Sequence, residues 1–280
     1  MLRTRVVTAL ALLLVVVPAL IYLPPRGWAV FVLFFVAAAG WEWGRLARLP
    51  GMGPLLLAGL IAGSAILVLL AAPPPAVMLS MLVLASLAWL LLVPYWLARR
   101  DAVPSGWPLA LLGWLMLLAC WYAVWRVRES GAAYLFLLMG VVWIADIAAY
   151  FAGRAFGRHK LAPNISPGKT WEGVVGAILA VQCLAALCVA GAAWLPNYFG
   201  AILRAGGWPG VVLAGLLLTG VSVIGDLFES LLKRRAEVKD SSNLLPGHGG
   251  VLDRIDALLP TLPVALTVSA LIAQRSWPWA

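Results

Sequence analysis

Residues 132–152 read AAYLFLLMGVVWIADIAAYFA, a run of 21 residues with one charged side chain. An α-helix rises 1.5 Å per residue, so about 20 apolar residues cross the roughly 30 Å hydrocarbon core of a bilayer. A strand of a membrane barrel would alternate apolar and polar positions, and this run does not. The stretch therefore predicts a transmembrane helix, and several other stretches show the same pattern.

The composition extends this prediction to the whole chain. Its 280 residues are 64% hydrophobic, with a mean hydropathy of +0.99, which is more than a soluble core needs. We predict an all-α fold, a polytopic integral membrane helical bundle of about nine transmembrane helices. The predicted spans are 6–23, 28–40, 54–72, 76–98, 107–125, 132–152, 173–195, 208–228 and 257–273.

The pattern of spans also bears on the N-terminal segment and on how the chain is divided into regions. The first span has the basic start and apolar run of a signal peptide but a poor cleavage site, so we interpret it as a retained helix. We predict that residues 1–130 form the bundle and oligomer scaffold and that residues 131–280 form the catalytic region. The catalytic region contains the two long charged loops, 153–172 and 229–256.

The chain is basic, with 20 Lys and Arg against 11 Asp and Glu. These bases are dispersed in short loops and form no basic domain, which argues against nucleic acid as a partner. With the N-terminus in the cytoplasm, 15 of the 20 bases fall on the cytoplasmic side, in line with the positive-inside rule. We therefore expect a bacterial-type inner (cytoplasmic) membrane protein whose two charged loops share the cytoplasmic face.

Two aspartates belong to predicted spans, where an ionised group is costly and usually functional. Asp146 is expected roughly 10 Å below the loop that follows it, and Asp226 lies near the end of the eighth span. The alternative is a buried salt bridge to a basic loop residue. We interpret Asp226 as a metal ligand and Asp146 as a substrate-binding residue.

Loop 229–256 concentrates charge in a chain that otherwise avoids it. Asp253 and Asp256 are spaced i, i+3, so on a helix they share a face and suit Mg²⁺, which prefers oxygen ligands. Acids that complement the dipole of a helix start are the alternative. Gly249 and Gly250 would let backbone N–H groups approach phosphate oxygens. His248, in the same run of glycines, is either a residue of the site or a residue that forms structural hydrogen bonds. The remaining candidates are Lys233, Arg234, Lys239 and Asp240.

Loop 153–172 is also basic and polar between two apolar spans. Ser166, Lys169 and Thr170 offer hydroxyl and ammonium donors for a phosphate. Residues 166–172 could alternatively cap the next helix, and the two roles can coexist. Acids for Mg²⁺, many bases and a membrane setting together favour phosphoryl or nucleotidyl transfer between a soluble phosphate donor and a lipid acceptor.

In residues 230–256 the chain resembles the phosphatidate cytidylyltransferases, also called CDP-diacylglycerol synthases. Gly225-Asp226 and residues 166–170 are similar to that family as well, whereas the first half is similar only in hydropathy. The resemblance implies conversion of CTP and phosphatidic acid to CDP-diacylglycerol and pyrophosphate, with Mg²⁺, with K⁺ as a second cation, and as a homodimer. The matching residues are Ser230, Lys233, Arg234, Lys239, Asp240, Pro246, His248, Gly249, Gly250, Asp253, Arg254, Ile255 and Asp256.

Our mechanistic hypothesis places Mg²⁺ on Asp226 and Asp253, with Asp256 as a ligand or a support. Basic residues of both loops would neutralise the phosphates of the two substrates. The nearest alternative is a membrane lipid kinase that uses CTP or ATP, with Asp146 or Asp240 as the base for a neutral hydroxyl. A transporter fits less well, because it would place polar residues near the bilayer midplane, and here they gather at one face.

Overall fold

The computed structural model describes residues 2–272, with side chains from residue 6 onward. This part of the chain forms α-helices, a short 3₁₀-helix (Arg100–Ala102) and one β-hairpin. The helices are α1 (Leu2–Tyr22), α2 (Pro25–Leu46), α3 (Gly53–Ala71), α4 (Pro75–Ala98), α5 (Trp107–Glu129), α6 (Ala132–Phe156), α7 (Trp171–Ala190), α8 (Tyr198–Arg235), α9 (Leu252–Ile255) and α10 (Leu258–Ile272). The strands are β1 (Lys160–Ala162) and β2 (Ser166–Thr170).

The helices confirm the predicted fold class. Seven of the described helices, α2 to α8, are long and apolar enough to cross a membrane, and α1 and α10 contribute shorter apolar helices. Each of the nine predicted spans coincides with one of these helices. Ala273, the last residue of the ninth predicted span, lies outside the described residues. The chain is therefore an all-α polytopic integral membrane protein.

Prolines explain where several helices begin and where two of them depart from regular α-helical geometry. Pro25, Pro54 and Pro75 lie in the first turn of α2, α3 and α4, where their missing N–H group has no helical partner to lose. Inside α4, a π-helical stretch from Ala88 to Leu92 ends two residues before Pro94, since a proline disrupts the regular hydrogen bonds of the preceding turn. In α8, Gly207 has φ 63° and bends the helix two residues before Pro209.

The structure corrects the predicted ends of the helices and both charged loops. Helix α8 continues to Arg235, so residues 229–235 are helical and do not belong to a loop. Helix α6 continues to Phe156, which places Asp146 ten residues before its end. Asp146 therefore lies about 15 Å along the helix from the following loop, where we expected roughly 10 Å. Residues 160–170, predicted to be irregular, form an antiparallel hairpin that pairs Lys160 with Thr170.

Helix α8 lies in the middle of the packing, in contact with α6, α7 and α10. Its Phe228 is buried in a cluster of tryptophans, with ring centroids 6.0 Å from Trp43, 5.8 Å from Trp89 and 5.9 Å from Trp96. Large apolar side chains on most other helices stay exposed, as lipid contact requires. The aromatic cluster fixes the part of α8 that carries the polar residues described below.

Polar connections meet at one end of the bundle. The Gly106 N–H donates to the Ala47 carbonyl at 2.6 Å, and Arg235 donates to the Val103 carbonyl at 2.5 Å. Arg234 donates to the carbonyl of Ile165 in the hairpin at 3.4 Å. The hairpin and the segment after α8 therefore share one end of the molecule, together with two connections of the N-terminal half.

Candidate active site

The hairpin places a lysine against an aspartate of α8. Lys169 Nζ lies 2.6 Å from Asp226 Oδ2, and the two side chains are 25% and 31% exposed. Ser230, one turn after Asp226, donates to its Oδ1 at 3.4 Å. Thr170 caps α7, because its Oγ1 accepts the Gly173 N–H at 3.1 Å. The capping alternative therefore holds for Thr170, while Lys169 is directed to Asp226.

A cavity of about 400 Å³ lies between α6, the hairpin, α7 and α8. Its polar lining includes Asp146, Ser166, Lys169 and Asp226, and Arg154 adds a guanidinium group. Its apolar lining comes from the membrane-spanning parts of the same helices, at Ala145, Val174, Ala177 and Val223. A cavity with one polar and one apolar part suits an amphiphilic ligand with a charged headgroup.

Asp256 lies beside this cavity, just after α9. Its Oδ1 accepts the N–H of Ala257 at 2.7 Å, and a Cβ atom at Gly225 would lie 2.4 Å from its backbone carbonyl. Burial and the negative charges of Asp226 and Asp146 raise the pKa of Asp256 to about 7. Three carboxylates thus interact near the single ammonium of Lys169, and this part of the site carries surplus negative charge.

Asp253 has a different set of partners, one turn earlier in the same segment. Its Oδ1 accepts from Lys233 Nζ at 2.6 Å, and Lys233 also forms an ion pair with Glu229. Its Oδ2 accepts from the N–H and the hydroxyl of Ser241, both at 2.9 Å, and from the Gly250 N–H at 2.7 Å. Burial opposes ionisation of Asp253, but hydrogen bonding with Glu229, Lys233 and the Gly250 N–H holds its pKa well below the usual range.

The glycines of the 236–251 loop allow this close packing. Gly249 has φ 82°, and a Cβ atom there would lie 2.7 Å from Asp253 Oδ2. At Gly250 a Cβ atom would lie 2.1 Å from Ser241 Oγ. We predicted that these glycines bind substrate phosphate. In this structure the Gly250 N–H is instead occupied by the Asp253 carboxylate.

The other predicted residues of this segment lie around these two groups. Lys239 and Asp240 are exposed on the 236–251 loop, and Arg234 is exposed at the end of α8. The backbone N–H of His248 donates to the Leu245 carbonyl at 2.8 Å. Its ring Nδ1 is buried and has no hydrogen-bond partner among the described residues.

Comparison with known proteins places this arrangement in a family. The model of the cytidylyltransferase family matches residues 3–272. The chain belongs to the cytidylyltransferase family. Curated relatives named phosphatidate cytidylyltransferase are similar over full length, with 38% identity in Pseudomonas aeruginosa (99% of both chains) and 38% in Brucella suis (100% of this chain, 97% of the relative). A relative of the same name from Bacillus subtilis is 40% identical over 53% of this chain and 51% of its own.

In this member of the cytidylyltransferase family, sequence reasoning missed two buried acids. Glu229 lies on α8 between Asp226 and Lys233 and is 4% exposed. Glu42 lies on α2, is fully buried, and accepts from the Val251 and Leu252 N–H groups at 3.0 and 2.6 Å. A lone glutamate inside an apolar span, as in VAAAGWEWGRL, is the signal that could have identified Glu42.

The predicted metal ligands of this cytidylyltransferase fit Mg²⁺ by chemistry, although no three Asp, Glu, His or Cys side chains of the described part of the chain form a ready-made site. Asp226 and Asp256 lie where negative charge is in surplus, and carboxylate oxygens are the ligands that Mg²⁺ prefers. Asp253 Oδ1 accepts a hydrogen bond from Lys233, so Lys233 would have to move before this oxygen could bind a cation. One or two carboxylates with substrate phosphate oxygens are the usual protein site for this ion.

Proposed function

We propose that this cytidylyltransferase acts on CTP and phosphatidic acid and releases CDP-diacylglycerol and pyrophosphate. A phosphate oxygen of phosphatidate forms a bond to the α-phosphorus of CTP. The bond from that phosphorus to the oxygen that bridges to the β-phosphate breaks, and pyrophosphate leaves with its electron pair. The full-length relatives from Pseudomonas aeruginosa and Brucella suis are named phosphatidate cytidylyltransferase, which supports this pair of substrates.

The observation that carries the proposal is the cavity between α6, the hairpin, α7 and α8. Lys169, Ser166 and Arg154 supply donors for a phosphate at its polar part, and Val174 and Val223 supply an apolar wall. A lipid with a phosphate headgroup has the same division into polar and apolar parts. The bases beyond the cavity, on the end of α8 and the 236–251 loop, suit the triphosphate of the second substrate.

The reaction does not require a strong general base. The second ionisation of a phosphate monoester has a pKa of about 6, so phosphatidate is already a nucleophilic anion near neutral pH. The protein has to hold two anions together and neutralise the developing charge. Lys169 and Lys233 are held in place by their ion pairs, while Arg234 and Lys239 are exposed and open to a soluble nucleotide.

We further propose Mg²⁺ as the cofactor, held by Asp226 and Asp256, and by Asp253 once its oxygen exchanges Lys233 for the cation. When bound, Mg²⁺ would neutralise phosphate oxygens and make pyrophosphate a better leaving group. K⁺ as a second cation and a homodimer are proposed on the family resemblance alone. The cytoplasmic side for the hairpin and the 236–251 loop rests on the excess of Lys and Arg in these connections.

The proposal is tested with the purified full-length protein in detergent or in vesicles. We expect CTP with phosphatidic acid and Mg²⁺ to release pyrophosphate, and we expect chelation of Mg²⁺ to stop the release. Isoprenoid or phytol-type alcohols serve as the comparison substrates. Release of CDP with an alcohol, and no pyrophosphate with phosphatidic acid, would show a lipid kinase and overturn the proposal.

A further inference from the structure

Glu42 makes an unusual contact between the two halves of the chain. It lies on α2, within the region predicted as scaffold, and its side chain is 0% exposed. Its Oε1 accepts from the Ser242 hydroxyl and from the Val251 N–H at 3.0 Å, and its Oε2 accepts from the Leu252 N–H at 2.6 Å. A buried carboxylate is costly unless donors satisfy it. Here all three donors come from one segment that is 200–210 positions away in the sequence.

These hydrogen bonds hold the backbone at the point where α9 begins. The Gly250 N–H donates to Asp253, and the next two N–H groups, of Val251 and Leu252, donate to Glu42. Three consecutive N–H groups are thus divided between two carboxylates. A Cβ atom at Gly250 would lie 2.3 Å from Glu42 Oε1, so the backbone can approach this carboxylate only because a glycine stands there.

We infer that Glu42 is a positioning residue for Asp253 and Asp256. Glu42 is not part of the cavity lining, so it acts through the segment that it holds. Residues 250–252 lead directly into α9, which carries Asp253, and Asp256 follows its last residue. A shift of this start would move both carboxylates relative to α8. The effect on turnover rests on the cytidylyl transfer proposed above, whereas the effect on the backbone does not.

Glu42→Gln tests the inference with almost no change of shape. Oε1 and Oε2 each accept a backbone N–H, so the NH₂ group of glutamine faces one of these donors in either orientation. One charge-assisted hydrogen bond is then replaced by an unfavourable contact between the glutamine NH₂ group and a backbone N–H. The loss of one hydrogen bond to a charged group shifts the equilibrium between the held and the released backbone by about 10- to 100-fold.

Three measurements on the full-length protein follow this change. The first is kcat and KM for CTP in pyrophosphate release, the second is the Mg²⁺ concentration for half-maximal rate, and the third is hydrogen exchange of the 249–253 amides. We expect Glu42→Gln to lower kcat about 10- to 100-fold or to raise the Mg²⁺ requirement by a similar factor. Amide exchange in residues 249–253 should be at least about tenfold faster, while exchange in α8 stays unchanged.

Ser86→Ala is the matched control. Ser86 is buried and forms a hydrogen bond with Thr267 at 2.9 Å, so it also links the two halves through a buried polar contact, but on α10 and not at the start of α9. We expect wild-type kcat and wild-type exchange at residues 249–253. Ser242→Ala removes one of the three donors to Glu42 and should give a smaller effect of the same kind, which keeps the test decisive if Glu42→Gln does not fold.

The outcomes separate the two proposals. Wild-type exchange at residues 249–253 in both Glu42→Gln and Ser242→Ala would refute the inference. Faster exchange with unchanged kcat and Mg²⁺ requirement would also refute it, because Glu42 would then be structural only. A wild-type protein that releases no pyrophosphate with phosphatidic acid would instead refute the proposed function, and the exchange experiment would remain informative.

Discussion

Lys233 and Lys169 both form ion pairs with aspartates of the site, but replacing them should have very different effects on stability. Lys233 is paired with Glu229 and Asp253, whose side chains are each 4% exposed. Lys233→Met leaves these two buried carboxylates without their shared cation. Removing one partner of a buried ion pair costs about 3–5 kcal/mol, a large part of the roughly 5–15 kcal/mol that keeps a typical domain folded.

The Lys169 pair with Asp226 is 25% and 31% exposed, so solvent screens it. Lys169→Met should cost less than about 1 kcal/mol of unfolding free energy. For a chain of this size we expect Lys233→Met to lower the apparent Tm by about 10 °C and Lys169→Met by no more than about 3 °C. Both variants should lose most of their pyrophosphate release, because each removes a charge from the proposed phosphate sites.

The assay is thermal unfolding in one detergent, with pyrophosphate release measured in parallel. A second substitution tests the cause, since Asp253→Asn added to Lys233→Met removes the buried charge that has lost its lysine. We expect this double variant to recover at least about half of the lost stability. Equal Tm values for Lys233→Met and Lys169→Met would refute the reasoning, because burial would then not decide the cost.

Three further predictions concern the neighbouring residues. Asp226→Asn should abolish turnover with a near-normal Tm, and substantial pyrophosphate release by this variant would exclude Asp226 as a ligand. Gly250→Ala should lower the Tm by several degrees, because its Cβ would lie 2.1 Å from Ser241 Oγ, whereas Gly220→Ala on α8, with no atom within 4 Å of its Cβ, should not. The pKa of Asp256 is raised from 3.8 to about 7, so its contribution to stability is present below about pH 4 and is lost as the pH rises to 7. The Tm should therefore fall less steeply across this window in Asp256→Asn than in wild type.

Hydropathy predicted the spans because bilayer thickness fixes the length of an apolar helix. It could not predict where the helices end beyond the membrane, since Lys233 and Arg235 interrupt the apolar pattern without interrupting the backbone hydrogen bonds of α8. The hairpin at residues 160–170 is too short and polar to show an alternating pattern. Glu42 was missed because the predicted second span ended at residue 40, two residues before it. Its role could not be inferred from the sequence, because its partners are 200 or more positions away.

The spacing of the two late aspartates was informative, but it did not show what each one contacts. Both face α8, where Asp226, Glu229 and Lys233 follow one another at i, i+3 and i+7 along one side. Asp253 meets Lys233 at the basic end of this row, and Asp256 interacts with Asp226 about 10 Å further along the helix. Two aspartates three residues apart therefore experience opposite electrostatic environments: Asp253 is neutralised by a lysine, and Asp256 joins the surplus of negative charge beside the cavity. For all three predicted ligands to share one cation, Asp253 must release Lys233, and that lysine would then be available to an incoming phosphate.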